Sequence, residues 1–155
     1  MAELPTAAEL AADLSRLIAS RLLDPLEIVL DDMTITETLQ DRVAARAAHL
    51  AAELLSPDDD AARLAGIRLI AVLHPGDEPF DPPERWWRTP LGRVVAWRVG
   101  FPGADGVPVA VAAAMLGVSR QFVHDLMNRG KLDRRPDGTV GVASVRARID
   151  TGTTR

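Results

Sequence analysis

Apolar residues recur at helical spacing through residues 1–73, with turn signals between the runs. Leu10, Leu14, Leu17 and Ile18 share one face of a helix that Thr6 can cap and that runs to about Leu22. Asp24-Pro25 restarts the chain, since Asp caps and Pro suits a first helical position. Leu26 to Leu30 fits either a short helix or a buried strand, and helix is preferred. Thr34 or Thr36 then opens a long helix to Leu55. Along it Leu39, Val43, Ala47, Leu50 and Leu54 fall at spacings of four, four, three and four, a narrow seam of the kind that pairs with another helix. Ser56-Pro57 closes that helix and starts one to about Leu73, with Asp58, Asp59 and Asp60 in its first turn, where negative charge suits the helix dipole.

The pattern changes after Leu73. His74 to Pro83 is rich in Pro, Gly, Asp and Glu and reads as a loop between two halves. Trp86, Trp87 and Trp97 follow, with a helix from Leu91 to about Val99 capped by Thr89-Pro90 and a second loop from Phe101 to Val107. Adjacent tryptophans point apart, so one is expected in a core and the other over the domain junction. Flanked by Arg85 and Arg88, the pair would otherwise suit an interface anchor.

Val109 to Leu132 carries the most specific pattern. Val109, Ala112, Ala113 and Leu116 recur at helical spacing, and the alanines allow a second helix to cross closely. Gly117 ends the first helix, because a left-handed backbone costs glycine little. Val118 plugs the corner and Ser119 supplies an N-cap hydroxyl. In the second helix, 120–129, Val123, Leu126 and Met127 form the apolar stripe, with Phe122 at its border. Arg120, Gln121, His124, Asp125 and Asn128 remain outward.

Ala112-Ala113, Leu116 to Arg120, Val123, Leu126 and Arg129 to Leu132 together resemble the winged helix-turn-helix of the MerR and excisionase-like DNA-binding families. The resemblance covers about the last third of the chain. It implies a second helix that enters the DNA major groove, a two-stranded wing and a short closing helix. Lys131 to Arg135 would be the outgoing wing strand, Pro136-Asp137-Gly138 the turn, Thr139 to Val142 the return, and Ser144 the cap of a helix from Val145 to Ile149. Arg120, Gln121, His124 and Asn128 would read bases, since Arg pairs bidentately with guanine and Gln or Asn with adenine. Ser119, Arg129, Lys131, Arg134 and Arg135 would contact phosphates. Family wings carry basic residues on the returning strand, and Thr139 to Val142 has none. Arg134 and Arg135 on the outgoing strand would substitute.

Charge supports this division. Residues 1–83 hold 6 Arg against 16 acidic residues, a balance of −10, whereas residues 84–155 hold 12 basic against 6 acidic, a balance of +6. A polyanion is drawn to the second part and repelled by the first. There is no cysteine, which excludes disulfides and thiolate metal sites. No apolar run is long enough to span a membrane. His49, His74 and His124 have no serine or carboxylate companion at short range, no phosphate-cradling glycine loop occurs, and no metal or cofactor is expected.

The sequence therefore predicts a mainly α protein with no enzymatic activity, located in the cytoplasm and on the nucleoid. An acidic all-helical oligomerisation or partner-binding domain spans 1–79. A Pro- and Trp-rich connector spans 80–106. A helix-turn-helix domain with a small two-stranded wing spans 107–155. The expected partners are double-stranded DNA and a second copy of the chain, paired through Leu39, Val43, Leu50 and Leu54, because a single such motif reads only a few base pairs. The expected function is that of a sequence-specific transcriptional regulator, most simply a bacterial repressor. The alternative is an antitoxin, or a phage or plasmid accessory protein, whose acidic half binds a protein partner.

Overall fold

A computed structural model describes residues 3–153. It is mainly helical, with one small antiparallel sheet. The chain divides into two compact units: Pro5–Gly76, and 77–153 taken with Glu3 and Leu4. The connector expected at 80–106 is thus part of the second unit.

In the first unit α1 (Ala7–Ile18) starts in a full capping box. Glu9 N donates to Thr6 Oγ1 at 3.2 Å and Thr6 N donates to Glu9 Oε2 at 2.8 Å. The chain does not break at Asp24-Pro25 as expected. It passes through a π-helical turn, Ala19–Leu23, straight into α2 (Asp24–Leu30), and Asp24 caps nothing. Pro25 is accommodated because the first turn of α2 needs no amide donor there. α3 (Met33–Leu55) is capped by Asp32, not by Thr34 or Thr36: Asp32 Oδ1 accepts from Thr34 N at 2.9 Å. Thr36 is buried instead, its hydroxyl 2.8 Å from the Met33 carbonyl and 3.1 Å from Glu27 Oε2. α4 (Asp59–Leu73) is capped by Asp58.

α3 packs on α1 and α4, and this packing uses up most of the seam proposed for dimerisation. Ala47, Leu50 and Leu54 are buried within the unit, while Leu39 and Val43 are half-buried. The apolar face of α1 needs a cover, and α3 provides it. Leu54 therefore cannot face a second chain, and Leu50 keeps only an edge at the surface, in a groove.

In the second unit a 3-10 turn (Glu84–Arg88) leads into α5 (Pro90–Arg98), with Thr89 as N-cap and Pro90 in the first turn. Both tryptophans of the 3-10 turn are buried, Trp87 completely. The turn packs against α5 and α6 (Val109–Leu116), which cover both indoles and leave Arg85 and Arg88 exposed. Trp86 and Trp87 meet edge to face at 5.0 Å, and Phe101 stacks on Trp87 at 5.3 Å.

β1 (Gly106–Val107) pairs with β2 (Val140–Gly141), Gly106 opposite Gly141 and Val107 opposite Val140. The expected wing hairpin is reduced to one bridge, Arg134 to Val140, with Arg135 N donating to Thr139 O at 2.9 Å. The longer partner of the return strand is β1, a stretch that looked like loop. α8 (Val142–Thr153) begins before Ser144 and runs past Ile149. Ser144 does not cap it. Its hydroxyl donates to Gly141 O at 2.8 Å and accepts from Asp133 N at 3.0 Å, joining the hairpin to the helix.

Gly92 marks the tightest approach in this unit. A Cβ there would collide with the Trp86 carbonyl and would sit 2.8 Å from Trp87 Cα, both of them backbone. Gly92→Ala should lower the stability of the second unit by about 1–3 kcal/mol, the usual cost of overpacking. Denaturant unfolding followed by tryptophan fluorescence checks this, because all three tryptophans lie in that unit.

Candidate nucleic-acid interface

α6 ends at Gly117, whose φ of 65° is left-handed. Val118 N reaches back to Ala113 O at 3.0 Å and Gly117 N to Ala114 O at 3.2 Å, so the last carbonyls of α6 are satisfied without extending the helix. Val118 is half-buried in the corner. The extended Ser119 opens α7 (Arg120–Asn128), its Oγ accepting from Phe122 N at 3.1 Å. α7 stops in the same way. Gly130 has φ 65°, and Lys131 N returns to Leu126 O at 2.8 Å. The helix is thus one residue shorter than predicted, and Gly130 is the signal for its end.

α7 is sharply two-sided. Val123, Leu126 and Met127 are buried, whereas Arg120, Gln121, His124 and Asn128 are exposed. Asp125, the one acid of the helix, is half-buried. Ser119, Arg129, Lys131 and Arg134 are exposed beside the polar face in sequence. Arg134 Nη2 donates to Asn128 Oδ1 at 3.3 Å, which links the hairpin to the end of α7. Arg135 differs from the other cations. It is half-buried and lines a depression of about 650 Å³ with Asp105, Asp133, Asp150 and Arg146, and its stem packs where a Cβ on Gly106 would be.

Two features escaped sequence reading. Glu84 Oε2 lies 2.9 Å from Arg120 Nη2, and its other oxygen lies 3.2 Å from Arg88 Nη2. One carboxylate thus holds the first outward residue of α7, although 36 positions separate the two in sequence. The second feature is the bonding of Asp137 within the expected turn. Asp137 Oδ1 accepts from Thr139 N at 2.9 Å and Thr139 Oγ1 at 2.6 Å, and these bonds hold its carboxyl below the usual range. The hairpin tip therefore carries a firmly ionised acid next to Arg134 and Arg135 in sequence.

Among the described residues no group of three or more His, Asp or Glu is placed to hold a metal ion, and no helix is long and apolar enough to cross a membrane. No family model matches the chain, and comparison with curated proteins and with solved structures finds no match.

Ser119→Ala should cost about 1 kcal/mol of stability, the usual value of an N-cap hydroxyl, whereas Ser119→Asp should restore it because Asp accepts the same bond. Chemical denaturation of the two variants beside the parent chain reads the difference.

Proposed function

We propose that the second unit binds double-stranded DNA as a winged helix-turn-helix and that the chain is a dimeric, sequence-specific transcriptional regulator, most simply a repressor. The observation that carries this reading is the sidedness of α7. Four residues able to hydrogen-bond to base edges, Arg120, Gln121, His124 and Asn128, are all exposed, on a helix whose opposite face is buried. Glycine corners at Gly117 and Gly130 frame that helix. The protruding polar surface is short, which suits a major groove.

Charge supports the same reading. Residues 77–155 carry 12 basic and 9 acidic side chains, a balance of +3, while Pro5–Gly76 carries 6 Arg against 12 acids, a balance of −6. Phosphate contact falls to Ser119, Arg129, Lys131 and Arg134, which are exposed. Arg135, half-buried in a depression it shares with Asp105, Asp133 and Asp150, has a lesser part.

Base contacts and phosphate contacts have different signatures. Once a preferred sequence has been selected from random DNA, Arg120→Ala should weaken binding to it by about 1–3 kcal/mol and leave binding to unrelated DNA nearly unchanged. Lys131→Ala should weaken both alike and flatten the slope of log K against log salt by about one unit. Mobility-shift titrations at several salt concentrations separate the two. An Arg120→Ala protein with unchanged selectivity removes the base-reading role.

A further inference from the structure

The most unusual surface of the molecule lies on the acidic unit. α2 has a strongly apolar sequence, yet none of its residues is buried. Ile28 and Val29 are each 80% exposed and Met33 is 62% exposed, with Leu22, Leu26, Leu30 and Ile35 also open. Together they are seven open apolar residues within one stretch of fourteen, Leu22 to Ile35. A patch this large on a folded unit marks an interaction site. The backbone is irregular on both sides of α2. The π-helical turn precedes it, and Asp31, which follows it, is the one non-glycine residue with positive φ among those described, at 51°.

Charge narrows the choice of occupant. Between Leu22 and Asp41 there are six acids and no cation, with Arg21 and Arg42 just outside. Two such tips pressed face to face would set like charges together, which is costly at an interface. The same unit also carries a complementary surface. A groove of about 230 Å³, with room for a pair of aliphatic side chains, is floored by Ile18, Leu50 and Leu69 and bears Arg46 and Arg68 against a single acid, Glu53. Leu22 lines this groove as well, so tip and groove are neighbours.

We propose that two copies of the chain pair reciprocally, the apolar, acidic α2 tip of each seated in the Arg46 and Arg68 groove of the other. Because tip and groove adjoin at Leu22, one twofold axis near Leu22 makes both contacts at once, as a closed isologous dimer requires. The interface brings six acids towards two arginines on each side and takes part of the apolar tip out of water. This inference rests on the dimeric part of the function proposed above. Its test contains no DNA, so failure here and failure of the DNA-binding reading are separate results.

Sedimentation equilibrium of the full chain at micromolar concentration should show a dimer. Val29→Asp and the double variant Arg46→Glu/Arg68→Glu should each weaken it by at least about tenfold, the scale of losing a central apolar or charged anchor. Helical circular dichroism should be unchanged, because all three side chains are exposed. A wild-type chain that stays monomeric overturns the proposal, as does a dimer indifferent to Val29→Asp or to the double arginine variant. A monomer that instead binds a synthetic Leu/Lys amphipathic helix, and loses it on Val29→Asp, assigns the patch to a basic partner and equally overturns pairing.

Discussion

The second unit depends on α6 being covered on every side. Five consecutive residues, Ala112 to Leu116, are each no more than 2% exposed, and a helix can bury all its faces only if neighbours surround it. The 3-10 tryptophan turn, α5, α7 and α8 are those neighbours. The run Ala112-Ala113-Ala114 keeps α6 thin enough for them to approach. This close packing puts the backbone of Gly92 against Trp86 and buries both tryptophans. It also makes the Gly117 corner obligatory, because a helix enclosed to its last residue must turn at once, and a left-handed residue permits that. The direction of α7, and so of its polar face, follows from the burial of α6.

What could be read from the sequence was what local chemistry determines. Thr6, Thr89 with Pro90, and Gly117 with Ser119 each give a helix its cap, and each forms as read. Where two residues competed for one role, local rules failed. Asp32 took the cap from Thr34 and Thr36, since a carboxylate accepts the orphan amide more strongly and leaves Thr36 free to be buried. Non-local pairings were not legible at all. Gly106-Val107 is too short to look like a strand, and it becomes one only because Val140-Gly141 comes beside it. The Leu39 to Leu54 seam was correctly periodic, but periodicity states that a face will be covered without saying by what, and α1 covers most of it. The exposure of α2 was hidden for the converse reason: an apolar run gives no sign that its cover is missing.

Charge is segregated between the units, and each unit pairs some of its own. In the acidic unit Asp13 is nearly buried and lies 2.6 Å from Arg16, while Asp24, Glu27, Asp31 and Asp32 gather around the uncovered α2. In the second unit Arg98 is buried with its guanidinium 3.5 Å from the centre of the Trp97 ring, and Arg135 lies among Asp105, Asp133 and Asp150. The cations left in the open are therefore fewer than the sequence total, and those flanking α7 are Arg120, Arg129, Lys131 and Arg134. A smaller set of exposed cations on one unit favours selective over indiscriminate attraction of a polyanion, because non-specific affinity rises with every phosphate neutralised.

Glu84 sharpens that selectivity on the proposed reading. Its carboxylate already pairs with Arg120 and Arg88, both of which are largely exposed, so each pair contributes little to stability and is readily exchanged. A phosphate offers Arg120 much the same partner as Glu84 does, and also brings a negative charge up to Glu84, so the exchange gains little. A guanine edge offers two aligned acceptors without a full charge, so Arg120 can bind it bidentately while Glu84 stays with Arg88. The carboxylate thus penalises the non-specific contact more than the specific one. It also holds the guanidinium near the start of α7 before any ligand arrives, which lowers the ordering cost of the contact.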